Sequence, residues 1–166
     1  MDKYLFICIG TNKIIEDSFG PMVGDILLDS FKDCERIKIY GTMTNPVHLK
    51  NIKMFSKEIF SMDKYKEYIK IIIDSAYSKE ADIGKIYVGL GGMEIGKVYG
   101  KGIYIPADLK IKTVVMNNKK ININENKNKF KNENINEISK KAEIDMLERI
   151  KRLSYITANK IIEIIK

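Results

Sequence analysis

Two aspartates have the residue type and the positions that fit hydrolytic chemistry. Asp17 lies in a loop after an apolar segment that ends at Gly10, and Asp74 directly follows another apolar segment, residues 69–73. If these segments are neighbouring strands, we expect both carboxylates in one crevice. Two carboxyl groups held close cannot both ionise readily, so one becomes a proton donor and the other a base. Such a pair can activate a water molecule for attack on an amide.

Both aspartates also have a structural interpretation. An aspartate just before a helix, here the one expected to begin at Pro21, caps its free N–H groups. An aspartate at the end of a strand, as expected for Asp74, can pair with a lysine. From the residues alone both interpretations stay open.

His48 is the single histidine, and we expect it in the first turn of a helix that begins at Asn45-Pro46. There it is either a proton shuttle or ligand near the mouth of the crevice, or a surface histidine. Asn45 and His48 are therefore candidate substrate-binding or accessory residues. One histidine cannot form a zinc site alone, so a metal would need Asp17 and Asp74 as well. We expect no cofactor, with a divalent metal at the aspartate pair as the alternative.

A glycine-rich stretch at residues 89–102 contributes a third accessory candidate, Gly91. The stretch lacks the Gly-Lys-Ser/Thr of a phosphate-binding loop and does not open directly into a helix. We therefore expect its glycines to form tight turns and close backbone approaches beside the crevice.

Strands and helices alternate in the first half of the chain. Apolar runs at residues 4–9, 37–40 and 69–73 predict strands, and apolar residues at helical spacing predict helices that begin at Pro21 and Pro46. This alternation is typical of βαβ units, so we expect a mostly parallel sheet covered by helices on both faces. Ligands of such folds bind at the carboxyl ends of the strands. Beyond Ser75 we expect two more strands joined by a long connection.

The length and composition fit one domain. The chain has 166 residues, of which 45% are hydrophobic and 31% charged, enough for one core and too few for two. Residues 117–136 are almost entirely Asn, Lys, Glu and isolated Ile, which predicts a mobile linker. Residues 137–166 predict an amphipathic helix that packs back on the domain. Because no stretch resembles a signal peptide or a membrane helix, we expect a cytoplasmic protein without a membrane partner.

The net charge of +7 is weak evidence for a nucleic-acid partner. Lysine supplies 26 of the 29 basic residues, and residues 117–136 alone carry +3. Lysines attract phosphate without reading sequence, and three arginines leave little capacity for bidentate base contacts. We therefore expect a protein or peptide substrate rather than nucleic acid. The two cysteines, Cys8 and Cys34, follow no metal-ligand spacing, which fits a reduced compartment.

Three sequence blocks within residues 4–116 resemble the YyaC-like sporulation proteins, which are relatives of the germination protease of endospore-forming bacteria. They occur in the family's order with fitting gaps. The blocks are Phe6-Ile-Cys-Ile-Gly-Thr11 with Asp17-Ser-Phe-Gly-Pro21 and Gly24, then Tyr40-Gly-Thr42 with Asn45-Pro-Val-His48 and Lys50-Asn51, and last Ile71-Ile-Ile-Asp74-Ser-Ala76.

The resemblance implies a three-layer α/β/α sandwich of the kind shared with the hydrogenase-maturation proteases. The germination protease uses two catalytic aspartates in sequence settings that fall here on Asp17 and Asp74. In the hydrogenase-maturation enzymes the corresponding acidic positions bind a metal. The implied activity is peptide-bond hydrolysis during sporulation or germination, in the mother cell or forespore.

Two functions follow from these observations. The first is a peptidase in which Asp17 and Asp74 activate water. The second is a catalytically inactive regulatory or binding protein of sporulation that keeps the protease fold. The second is motivated by the small size of the chain and by Val98, which stands where the family pattern has a glycine.

Overall fold

The computed structural model describes residues 2–78, 82–96, 100, 102–117 and 135–166, with the backbone alone at 135–138. These residues form seven strands and three longer helices, together with short 3-10 turns at Glu16–Ser18 and Asp63–Tyr65. In chain order the elements are β1 (Lys3–Cys8), α1 (Phe19–Ser30), β2 (Ile37–Tyr40), α2 (Ile52–Ser61), β3 (Tyr68–Ser78), β4 (Ile86–Leu90), β5 (Met93–Ile95), β6 (Ile103–Ile105), β7 (Leu109–Asn117) and α3 (Ile135–Ile165).

Five of the strands form one sheet in the order β2-β1-β3-β7-β4. The first four run parallel, and only β4 is antiparallel to its neighbour. The interior strand β1 is apolar and buried from Leu5 to its end, as a strand covered on both faces must be. The predicted mostly parallel sheet is confirmed.

Two apolar cores lie on opposite faces of this sheet. On one face α1 and α3 pack against the sheet and against each other through residues such as Val23, Leu27, Ile150 and Leu153. On the other face α2 and a two-stranded ribbon of β5 and β6 cover residues such as Ile72. The predicted α/β/α sandwich is therefore confirmed, with the β5–β6 ribbon completing one helical layer.

The second helix begins later than its sequence predicts. Pro46 does not open it, because Val47 stays extended and forms an isolated parallel bridge with Ile9. The helix begins only at Ile52. The placement of His48 in its first turn is therefore wrong, and His48 lies instead in the loop before the helix.

The third strand is longer than the predicted residues 69–73. It continues to Ser78 because β7 pairs with it beyond the point where β1 ends. Asp74 therefore lies inside β3, and its placement directly after the strand is corrected.

The connection between the last two predicted strands contains the short β5 and β6. Helix α3 begins at Ile135, two residues before the predicted boundary, and Asn117 closes β7. The rest of the predicted linker, residues 118–134, lies outside the described residues, as does Val98. In the described part of the chain, no helix combines the length and the apolar character needed to cross a membrane.

Candidate active site

Asp17, His48 and Asp74 line one open cavity of about 340 Å³ at the carboxyl ends of β1 and β3. We call it the dyad cavity. Its remaining walls come from the loop after β1, the residue after His48, strand β3, the end of β5 and strand β7. The wall residues are Ile9, Gly10, Leu49, Ser75, Ala76, Tyr77, Glu94, Ile95, Gly96 and Lys112. The structure thus brings together three residues that lie up to 57 positions apart in the sequence.

The end of β1 exposes Asp74 to the cavity. The last contact between the two strands is the hydrogen bond that the Ile9 N–H donates to the Ile73 carbonyl at 2.7 Å. Asp74 is the next residue of β3, and among the described strands it pairs only with β7, where Lys112 is its register partner. On its other side β1 has already ended. Its partly buried carboxylate accepts the Ser75 N–H at 2.9 Å.

A close backbone approach holds Asp17 at the same end of the sheet. Asp17 lies in the 3-10 turn before α1, and its carbonyl accepts the Thr11 N–H at 2.9 Å. Gly10 has a φ of +149°, and a Cβ there would overlap the Asp17 carbonyl oxygen. A Cβ on Gly20 would likewise overlap the Ile9 carbonyl. Glycines at both positions let α1 start directly against the end of β1.

Asn51 orients the loop that carries His48. Its side-chain oxygen accepts the His48 N–H at 2.8 Å, and its side-chain nitrogen donates to the Pro46 carbonyl at 3.0 Å. Val47 is fixed to the sheet because its carbonyl accepts the Gly10 N–H at 2.9 Å. The His48 Nδ1 atom is buried and has no hydrogen-bond partner among the described residues.

Burial and a neighbouring negative charge set the protonation of Asp74. Loss of solvent raises its pKa most, the charge of Asp17 raises it further, and Lys112 and the Ser75 N–H partly oppose both effects. The resulting pKa is about 7. A substantial fraction of Asp74 is therefore protonated at neutral pH and can donate a proton.

Asp17 is the stronger acid of the pair. Its pKa is raised from its usual value by burial and by the charge of Glu16, while His48 lowers it. In the described structure the two aspartates share no hydrogen bond and interact through charge across the cavity. No side-chain hydrogen bond caps the 3-10 turn or α1, so helix capping does not account for Asp17. The arrangement supplies a base and an acid that face one space.

Lys112 is the site residue that the sequence interpretation missed. It lines the dyad cavity beside Asp74 and lowers the pKa of that carboxyl. The available signal was the alternation of Lys110 and Lys112 with the apolar Leu109 and Ile111 in β7. A charged residue in a central strand is rare unless it has a partner. The sequence does not identify Asp74 as this partner, because the register of β7 against β3 depends on pairing between distant parts of the chain.

The other two accessory candidates lie outside the dyad cavity. Asn45 lines a neighbouring cavity, to which His48 also contributes. Gly91 forms the turn after β4, where its φ is +78° and its N–H donates to the Asp108 carbonyl at 2.8 Å. The glycine of this stretch that does reach the dyad cavity is Gly96, which packs against Leu49.

The carboxylates of the dyad cavity do not form a ready metal site. Among the described residues, no group of three or more His, Cys, Asp or Glu side chains is arranged to hold an ion. Asp17 and Asp74 supply two carboxylates, fewer protein ligands than a bound zinc ion usually has, and His48 lines the same cavity. We derive no step through a metal.

Comparison with solved structures identifies the architecture. The chain superposes on the [NiFe] hydrogenase maturation protease HycI from Thermococcus kodakarensis KOD1 with a TM-score of 0.50, covering 95% of this chain and 90% of that one. The two sequences are 12% identical, so this likeness concerns the fold. The chain therefore has a protease-type α/β fold.

Sequence comparison identifies the family. The chain is 30% identical over 109 residues to "Uncharacterized protein YyaC" of Bacillus subtilis (strain 168), which covers 66% of this chain and 51% of that protein. The matched part thus spans about half the length of this curated relative. The YyaC-like resemblance of the sequence blocks is confirmed. The family described as "Protein of unknown function (DUF1256)" matches residues 1–145, and the chain belongs to this family.

Proposed function

We propose that the chain is a peptidase that hydrolyses a protein or peptide substrate with water activated by Asp17 and Asp74. The observation that carries the proposal is the pair itself. The two carboxyl groups face one open cavity. Their environments give Asp74 a pKa of about 7 and leave Asp17 as the stronger acid. Such a difference is what acid–base catalysis near neutral pH requires.

The charges assign a role to each residue. Ionised Asp17 takes a proton from water, and the resulting hydroxide attacks the carbonyl carbon of the scissile amide. Protonated Asp74 gives its proton to the departing amide nitrogen when the carbon–nitrogen bond breaks. Lys112, beside Asp74, places a positive charge near the oxygen that becomes negative on attack.

The direct test is hydrolysis of an unfolded protein such as reduced casein by the purified chain. We expect cleavage by the natural sequence and none by the double variant Asp17→Asn with Asp74→Asn. Circular dichroism of the variant must match that of the natural sequence. Equal cleavage by both proteins would contradict the proposal, because the activity would then come from elsewhere.

A second function, binding without catalysis, is favoured by one observation. Lys112 lies beside Asp74, and a lysine that neutralises this carboxylate would suit a structural or binding site. The two functions differ in the protonation of Asp74 at neutral pH. A carbonyl-stretch infrared band of a protonated carboxyl that disappears in Asp74→Asn supports the peptidase, and its absence supports the binding protein.

The sporulation role and the cytoplasmic compartment are part of the same proposal. They are supported by the YyaC-like sequence blocks and by a relative from Bacillus subtilis. Deleting the gene and scoring spore formation and germination tests the role. Normal spores that germinate at the normal rate would contradict it.

A further inference from the structure

Strand β2 is an edge strand of the five-stranded sheet. In the described part of the chain β2 pairs only with β1, so its other side is an edge of the sheet. Two cavities of about 700 and 490 Å³ lie along this edge and share Leu28, Ile39 and Tyr40. They form one groove, the β2 groove, with α1 on one side and α2 on the other.

The register determines which main-chain groups of β2 face the groove. The Tyr4 N–H donates to the Arg36 carbonyl, and Tyr4 is the register partner of Ile37. Main-chain groups of a strand point alternately to its two sides, so those of Lys38 point towards β1 and those of Ile39 point outwards. Ile39 thus offers an N–H donor and a carbonyl acceptor to a chain that lies in the groove.

The walls of the β2 groove suit apolar side chains. Leu28 is 47% exposed although it is a large apolar residue on α1. Phe55 and Met62 contribute further apolar surface from the opposite wall, and Glu58 is the exposed acid there. Exposed apolar surface along an unpaired strand edge is the usual setting for binding of an extended peptide.

His48 connects the β2 groove to the dyad cavity. It lines both spaces, beyond the carboxyl ends of β1 and β2. Adjacent strands lie about 4.8 Å apart, so a chain beside β2 is about 14 Å from β3. An extended chain covers that distance in about four residues. A polypeptide in the groove can therefore reach Asp74 within one short segment.

We propose that the β2 groove binds the substrate polypeptide as an additional strand beside β2, about four residues from the bond that is cleaved. This inference rests on the proposed peptidase function and adds the substrate class: unfolded or extended segments with apolar side chains. An extended segment supplies the free main-chain groups that pair with those of Ile39. Selection of the substrate takes place in the β2 groove and cleavage takes place in the dyad cavity.

The test separates binding from cleavage. Binding is measured on the double variant Asp17→Asn with Asp74→Asn, which cannot cleave the peptide. The probe is a library of random peptides of about twelve residues, because this length spans the β2 groove and reaches the dyad cavity. Into this protein we introduce Leu28→Lys, which places a charge in the groove wall. The matched control is Met54→Lys on α2, since Met54 is 76% exposed and does not line the groove.

We expect Leu28→Lys to weaken peptide binding at least tenfold and Met54→Lys to leave it unchanged. Hydrogen exchange of residues 37–40 must slow when peptide is added, because the outward Ile39 N–H becomes bonded. The proposal that the β2 groove binds peptide would be contradicted by any of three results. These are absence of peptide binding, equal binding by the two lysine variants, and unchanged hydrogen exchange of residues 37–40. Cleavage by the natural sequence is scored separately, so binding without cleavage would refute the peptidase and leave the groove supported.

Discussion

Asp17, in the turn before α1, and Asp74, inside β3 just beyond the end of β1, line one cavity, where burial and the charge of Asp17 raise the pKa of Asp74. The two side chains do not hydrogen-bond, so each remains available to a substrate or a water molecule. Both carboxyls are partly buried, which strengthens the interaction of their charges compared with exposed groups. This relationship leads to the first three predictions.

Removal of either carboxylate should strongly slow peptide hydrolysis. We expect Asp17→Asn and Asp74→Asn each to lower kcat by about 10²- to 10⁴-fold, the usual contribution of a general acid or base. The measurement is the initial rate on a fluorogenic peptide, with folding checked by circular dichroism. Asp29→Asn, at an exposed position on α1, is the matched control and should retain full activity. Full activity of either site variant would contradict the assignment.

Activity should depend on pH in a bell-shaped manner. Asp17 must be ionised, so activity rises as the pH passes its pKa, which lies above the usual value for aspartate. Asp74 must be protonated, so activity falls as the pH passes about 7. The profile of kcat/KM against pH measures both limits. A rate that stays constant from neutral to alkaline pH would exclude Asp74 as the acid.

The stability of the fold should fall as the pH rises through the neutral range. An ordinary aspartate, as in the unfolded chain, has a pKa of 3.8, whereas Asp74 in the folded protein has a pKa of about 7. Between these two pH values the folded state binds more protons than the unfolded state. The free energy of unfolding therefore decreases with pH across this window, by at most about 4 kcal/mol. Urea titrations of the natural sequence at about pH 5 and pH 8 measure the decrease.

Asp74→Asn is the control for this effect. An amide cannot ionise, so the variant should lose most of the pH dependence and should be more stable than the natural sequence at about pH 8. A variant with unchanged pH dependence would show that Asp74 does not titrate in this window.

Lys112 should support catalysis by its charge. We expect Lys112→Met to lower kcat by about 100-fold, and to shift the alkaline limit of the profile to higher pH, because the cation that lowers the pKa of Asp74 is lost. Lys110→Met is the matched control, since Lys110 lies two residues away on the same strand and bonds to the Gly92 carbonyl at 3.2 Å. An unshifted alkaline limit in Lys112→Met would argue against electrostatic coupling to Asp74.

Gly10→Ala should damage the site through the backbone. The new Cβ would overlap the Asp17 carbonyl oxygen, so Asp17 and α1 must move. We expect a loss of about 3 kcal/mol of unfolding free energy, together with loss of activity. Gly91→Ala provides the comparison, because it has a positive φ but no atom within 4 Å of its Cβ position, and should cost only about 1 kcal/mol. Equal effects at both positions would contradict the importance of the close approach.

The sequence predicts the part of the fold that local patterns control. Continuous apolar runs identify buried strands, and the carboxyl ends of parallel strands meet at one edge of a sheet, which is why Asp17 and Asp74 were expected together. Residues whose structure depends on distant pairing were not predictable. Val47 is held extended by Ile9, although the preceding proline favours a helix start. Lys112 reaches the site only through the register of β7 against β3.

The division of the site between early and late parts of the chain has a consequence for synthesis. Both aspartates lie within the first 74 residues, whereas Lys112 arrives with the last strand of the sheet. The chain emerges from the ribosome N-terminal side first, and a domain folds as a unit. A nascent chain that ends before β7 therefore holds both acids without the cation beside Asp74 or the strand that extends β3. The order of translation delays assembly of the complete site until β7 has been made.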